Sequence, residues 1–231
     1  MLDVPCRICG ASTPTEISEF GQLPRVTSDC KPFPSGGRIA VCGTCGGVQK
    51  PENRRWLDEI DSIYREYEIY FQSGGVEQAV FEPVGGVPRQ RSVALLERVA
   101  HLKKLSSRGS VLDVGCGRGA MLAAFGAIRP QWRLYGHELS PRDAESLYGI
   151  PGFKKLYSGP LNQLQSQFDL ITLIHSLEHF TNPLDGLVDI RKKLSPAGTL
   201  LIEVPNAEVS PFDLIVADHA THFSRLHPRL F

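Results

Sequence analysis

The hydrophobic positions of the chain change period several times, and those changes predict its elements. Residues 53–72 place Trp56, Ile60, Ile63, Tyr64, Tyr67, Tyr70 and Phe71 largely at helical spacing before Gln72-Ser-Gly-Gly75 breaks the pattern, which predicts a helix and then a loop. Helical spacing returns over 89–105, with Leu95, Val99 and Leu102 on one face and Leu96 and Leu105 widening it. From residue 111 short apolar runs alternate with helical stretches. Strands are predicted at 111–114, 132–138, 153–157, 168–174 and 199–204. Between them lie a helix over 120–128 stopped by Pro130, a helix start at Ser140-Pro141 with Asp143, and a helix from Pro183 to Leu194 followed by a turn over 195–198. Strands alternating with helices predict the α/β class: a doubly wound, Rossmann-like parallel sheet that binds its ligand at the carboxyl ends of the strands.

The first of those strands runs into Val111-Leu-Asp-Val-Gly-Cys-Gly-Arg-Gly-Ala120. Glycine at 115, 117 and 119 allows a tight turn and lets a ligand approach the backbone without a Cβ in the way, while the helix behind it presents free N–H groups. A dinucleotide fingerprint reads G-x-G-x-x-G, whereas this turn reads G-x-G-x-G with Asp113 at the strand end. A carboxylate there repels phosphate and suits the ammonium group of an amino-acid-like cofactor. Glu138 ends the second strand about 20 residues beyond the turn, where this architecture sets an acid on cofactor ribose hydroxyls. The aromatic stripe before the sheet is either core or a lid over cofactor or substrate, since tyrosine offers an apolar ring and a polar tip.

Composition narrows the function classes. A chain of 231 residues with 42% hydrophobic positions can bury one full domain and a small appendage. Its 25 basic and 25 acidic residues cancel, with no basic run beyond Arg191-Lys192-Lys193, so nucleic acid is excluded as a partner. The N-terminus lacks the pattern of a signal peptide and no apolar run approaches the roughly 20 residues of a membrane span, so a soluble cytoplasmic protein without a membrane partner is expected.

In a reducing compartment six cysteines read as metal chemistry before disulfides. Cys6-Arg-Ile-Cys9-Gly and Cys42-Gly-Thr-Cys45-Gly-Gly form two C-x-x-C knuckles, and four thiolates complete a tetrahedral zinc site with no position left open for water. A small, structural, zinc-ribbon-like N-terminal domain follows. Cys30 and Cys116 lie outside the knuckles and have no partner that would make them ligands.

His175-Ser-Leu-Glu178-His179 matches the H-x-x-E-H pattern of inverted zinc proteases, but His175 ends a buried strand, so the two histidines do not share a helical turn. The segment is instead a loop at the carboxyl edge of the sheet, whose residues, His175 among them, would face the cofactor's methionine end or the substrate. His219 and His222 follow the fifth strand; a histidine there suits proton removal near neutral pH, with Asp218 as the adjacent acid that orients it or stabilises its charged form.

The glycine turn with Asp113, Gly115, Gly117 and Gly119 resembles motif I of the class I S-adenosylmethionine-dependent methyltransferases. Together with the two knuckles, Val48-Gln49, the tyrosine-rich connector, Ser-Leu-Glu-His after strand four and Val-Pro-Asn after strand five, the chain from Cys6 to about Ser224 is similar to methyltransferases with an N-terminal zinc-binding domain, among them the nucleotide-sugar C-methyltransferases. The resemblance implies zinc at Cys6, Cys9, Cys42 and Cys45, S-adenosylmethionine at Asp113, Gly115, Gly117, Gly119, Glu138 and His175, and a small-molecule acceptor, expected to be a carbohydrate. Sugar-methylating members carry Tyr-x-Glu-His where this chain has Val216-Ala-Asp218-His219, so His219 matches the base and Asp218 keeps the acid, while the tyrosine is missing.

The implied division is a zinc-binding domain at 1–50, a helical connector and lid at 51–109, and a methyltransferase domain at 110–231. The family fold has seven strands and this chain shows five, so it is expected to be C-terminally truncated, or to cover the open edge of strand five by self-association. A non-catalytic cofactor- or protein-binding module is the alternative.

Overall fold

The computed structural model describes residues 4–69, 76–81, 86–102, 105–139, 142 and 144–224. Tyr70, Phe71, the 72–75 break and the Ser140-Pro141-Asp143 helix start lie outside these residues. In chain order the elements are β1 (Pro14–Glu16), β2 (Arg25–Val26), β3 (Pro32–Phe33), β4 (Ala40–Cys42), β5 (Val48–Gln49), α1 (Arg54–Glu66), β6 (Ala79–Phe81), β7 (Pro88–Gln90), α2 (Arg91–Leu102), β8 (Gly109–Val114), α3 (Ala120–Ile128), β9 (Trp132–Glu138), α4 (Ala144–Tyr148), β10 (Phe153–Ser158), β11 (Phe168–Ile174), α5 (Pro183–Lys193), β12 (Leu194–Glu203) and β13 (Thr221–His222).

The chain divides into two compact units that cut across the linear division read from the sequence. Unit one comprises 1–68, 175–188 and 203–231; unit two comprises 69–174 and 189–202. The reason is strand pairing: β13 adds antiparallel to β5, closing a four-stranded sheet in the order β1-β4-β5-β13. The end of the described chain is thereby stitched to its beginning, and Arg7 strengthens the seam by donating from one guanidinium nitrogen to the carbonyls of Lys50 and Ala220 at 2.7 and 2.8 Å. Helix α1 starts where Asn53 accepts the backbone N–H of Trp56, and buried Trp56 donates its indole N–H to the Ala217 carbonyl.

Unit two contains the predicted α/β core, a five-stranded sheet in the order β10-β9-β8-β11-β12 with parallel pairing of β8 to β9 and β11 and of β9 to β10. Its interior strands read as continuous apolar runs because both faces are covered. Leu112, Leu134, Leu170, Ile171 and Leu173 are fully buried, and Phe125 of α3 meets Trp132 of β9 edge to face at 5.1 Å. Two local expectations shift: residues 88–90 pair with β6 as a hairpin before α2 begins, and the expected turn over 195–198 is taken into β12. Among the described residues no helix is long and apolar enough to cross a membrane.

Candidate functional site

In unit two the glycine turn leaves the carboxyl end of β8 as expected. Gly115, Gly117 and Gly119 all have positive φ, at 77°, 51° and 82°, and the N–H groups of Gly115 and Cys116 both reach the His137 carbonyl of β9. Gly119 is the residue before α3, and no side chain caps that helix, so its first N–H groups face the turn. Glu138, at the end of β9, accepts the Gly117 N–H at 2.6 Å. The acid expected on cofactor ribose hydroxyls is thus bonded to the glycine turn itself.

Asp113 is 3% exposed and sits in register with Thr172 of β11, whose hydroxyl donates to Asp113 Oδ1 at 2.6 Å. Burial pushes its carboxyl up to about 7, the Thr172 bond opposing the rise and the charge of Glu138 adding to it. In the native fold Asp113 keeps its proton at pH values where the unfolded chain has lost it, so this group's contribution to stability is complete below about pH 4 and is lost as pH rises through about 7. Asp113→Asn, which still accepts from Thr172, is expected to gain stability over the parent between pH 5 and 8. At about 1.4 kcal/mol per unit the gain is at most about 4 kcal/mol, read from urea unfolding midpoints across that range. A constant difference between the two proteins would show that Asp113 is ionised throughout.

In unit one the four knuckle cysteines converge, with their Sγ atoms all within 4.8 Å of one another. Cys6 lies 3.6 Å from Cys45 and Cys9 lies 3.7 Å from Cys42. Four sulfurs at about 2.3 Å from one ion stand about 3.8 Å apart, so the donor set already has the span of a tetrahedral thiolate site. The N–H groups of Ile8 and Gly47 point at Cys6 and Cys45, each 3.4 Å away, and the Thr13 hydroxyl lies 3.5 Å from Cys42 Sγ.

The histidines gather in the same unit. His219 Nδ1 bonds Asp213 Oδ1 at 2.6 Å and His222 Nδ1 bonds Asp213 Oδ2 at 2.7 Å, while Lys50 Nζ lies 3.3 Å from His222 Nε2. Burial would raise the Asp213 carboxyl, but the two histidine bonds hold it well below the usual carboxylate range. Burial also opposes charge on both rings. His219 nonetheless lies above the ordinary histidine value through its bond to Asp213, whereas His222, facing Lys50, is pushed down to about 4.

Asp218 does not bond His219, although its charge favours the ring's protonated form. Its carboxylate accepts from the backbone N–H and hydroxyl of Ser28 at 2.9 and 2.5 Å and lies 3.4 Å from His179 Nδ1. Neighbours in sequence project in different directions, and the acid that meets His219 comes from a 3₁₀ turn over Pro211–Ile215. His175, at φ 51°, has its ring taken up by Glu203 and Glu178, each 3.3 Å away.

A family model described as a methyltransferase domain matches residues 88–229. The chain belongs to this methyltransferase family. No curated protein is detectably similar to it in sequence. Among solved structures, the methyltransferase resembles coclaurine N-methyltransferase bound to N-methylheliamine and SAH, at 17% identity and a TM-score of 0.53 over 76% of this chain, a likeness of fold. It is also similar to an amino pentose methyltransferase from Micromonospora echinaspora, with 25% identity, a TM-score of 0.42 and 49% of each chain covered. The chain spans 62% and 49% of the lengths of these two structures.

Sequence reasoning missed Asp213 and Lys50, and it gave Glu178 no role apart from its neighbours. Lys50 carried no signal: it follows a two-residue strand, yet it is 1% exposed, with Nζ donating to the Leu214 carbonyl at 2.6 Å. Asp213 lies six residues before His219 in a segment without periodicity, so only the fold brings the two together.

Proposed function

We propose that the chain is an S-adenosylmethionine-dependent methyltransferase acting on a small-molecule acceptor, a sugar or nucleotide-linked sugar methylated on carbon or oxygen. The observation that carries this reading is the turn between β8 and α3: three glycines at positive φ, an uncapped helix start and two carboxylates at the ends of adjacent strands. That donor set fits the cofactor. The first N–H groups of α3 face it, Glu138 would take its ribose hydroxyls, and Asp113 with the glycine turn would hold its amino-acid end.

When bound, the cofactor supplies an activated methyl group. The chain must supply a deprotonated acceptor, and we assign this to the histidine cluster. With Nδ1 held by Asp213, His219 has Nε2 left for the acceptor's proton, and the buried carboxylate favours the ring's charged form. Asp218, bonded to Ser28, positions the segment from which His219 projects. The carbohydrate class rests on the likeness of Val216-Ala-Asp218-His219 to the sugar-methylating motif. We further propose that the four cysteines hold a structural zinc ion, and that β12, which has only β11 beside it among the described residues, is an edge through which copies associate.

Calorimetric titration with S-adenosylmethionine tests the donor site. Micromolar binding is expected, weakened at least tenfold in Glu138→Ala, which deletes a charge-assisted bond worth about 1.5–3 kcal/mol. A folded chain that takes up no donor would leave only the binding-module reading.

A further inference from the structure

Glu178 is the buried group that the proposed chemistry leaves unexplained. It is 1% exposed, with both carboxylate oxygens buried. Burying an ionised carboxylate without hydrogen bonds costs several kcal/mol, and folds retain such a group where a cation or metal meets it. His175 Nδ1 pairs with Oε1 at 3.3 Å from a ring that is about a third exposed, which leaves Oε2 without a hydrogen-bond partner among the described residues.

Around Glu178 stand His179 and His219, and the three residues offer one carboxylate oxygen and two imidazole nitrogens within 4.8 Å of one another. Both rings are already oriented through their other nitrogen. His219 Nδ1 is fixed by Asp213, and His179 Nδ1 lies 3.1 Å from the Tyr64 hydroxyl and 3.2 Å from the Asp218 carbonyl. Nε2 of each ring is left to serve a ligand, and a histidine whose far nitrogen is held by a carboxylate or carbonyl is the usual arrangement behind a metal-ligating imidazole. The rings meet edge to face at 4.7 Å, and the Ala220 N–H donates to the Glu178 carbonyl at 2.7 Å, fastening the two segments that carry the ligands. The neighbouring set of Asp213, His219 and His222 also brings ligand atoms close together, but there both carboxylate oxygens of Asp213 are already bonded to the two histidines.

We propose that Glu178, His179 and His219 form a divalent transition-metal site, separate from the four cysteines. Two imidazoles and one carboxylate suit zinc, manganese, iron(II) or cobalt(II), and three protein ligands leave coordination positions open. The inference rests on the reading that this cluster activates the acceptor, and it changes the group that does so. An acceptor hydroxyl bound at an open position would lose its proton to solvent water because the ion lowers its pKa, with no need for His219 to take it. The H-x-x-E-H run thus contributes its last two residues to a metal, as a turn beside the distant His219 and not as a protease helix.

The test is cobalt(II) binding to the full chain after its cysteine site has been filled with zinc. Wild type is expected to take up one further equivalent, with visible bands of nitrogen and oxygen coordination and no thiolate charge transfer. Glu178→Gln and His179→Gln, checked for native far-ultraviolet dichroism, are expected to weaken that uptake at least tenfold while keeping the zinc. Wild type that binds no metal beyond the cysteine site overturns the proposal without recourse to any variant, as does undiminished uptake by both variants. Donor calorimetry on the same samples separates the two readings: loss of the second equivalent with donor binding intact removes the metal and keeps methyl transfer, and the converse removes the methyltransferase reading alone.

Discussion

Gly119→Val is expected to unfold the α/β unit under conditions where the parent is native. Gly119 has φ 82° and ψ 23°, the left-handed region that a β-branched residue adopts only under strain of about 1–3 kcal/mol. A Cβ built there would lie 2.5 Å from Ile150 Cδ1 and 2.6 Å from Leu147 Cδ2, and Leu147 is fully buried, so the added methyls would overpack the core at a further cost of about 1–3 kcal/mol. The sum, about 2–6 kcal/mol, reaches the lower end of the whole stability of a domain, about 5–15 kcal/mol. Gly159 provides the control. Its φ is 85°, but a Cβ there would meet nothing within 4 Å, so Gly159→Ala reports the backbone strain alone. Urea unfolding followed through Trp132 should place Gly119→Ala below Gly159→Ala, with Gly119→Val lower still. Equal midpoints for the two alanine variants would mean that α3 shifts to make room, and that the third glycine serves the ligand and not the packing.

The α/β unit was legible because its signals are local. Each strand of the sheet is a short apolar run bounded by turn residues, and predicted strands 132–138 and 168–174 coincide with β9 and β11. The glycine turn announces itself by spacing, and Glu138 by its distance from that turn. Unit one was legible in its cysteines and in helix α1, whose apolar spacing shows in the sequence, but not in its sheet. Its strands are two or three residues long, too short to show a period of two, and β13 pairs with a segment more than 170 residues earlier, between Thr221 and Gln49. The histidine site depends on that pairing. Asp218 looked like the partner of His219 because it is adjacent, whereas the ring is held by Asp213, and a buried Lys50 from the far end of the sequence faces the next histidine. Adjacency in sequence is a poor guide where the chain turns at every second or third residue, since successive side chains then leave in unrelated directions.

If the four cysteines hold zinc as proposed, removing it is expected to cost the chain its histidine cluster as well as its knuckles. Structural zinc contributes about 10–16 kcal/mol to the folding of small thiolate modules, more than unit one could recover from its core. That core is thin near the knuckles, where Cys6, Ile8 and Cys42 are the buried members. Cys42 ends β4, β4 pairs with β5, and β5 holds β13 through Thr221 and His222. Losing the Cys42 ligand therefore loosens the sheet that fixes His222 and, through Asp213, His219. Unit two has its own packed core around Leu112, Phe125, Leu134 and Leu170, which includes none of the four knuckle cysteines. The two tryptophans separate the responses, since Trp56 is buried in unit one and Trp132 in unit two. With each kept as the single tryptophan, Cys42→Ser or a strong chelator should shift Trp56 emission to the red and leave Trp132 where it was. Trp56 emission unmoved by complete metal removal would show that the knuckles hold unit one together without zinc.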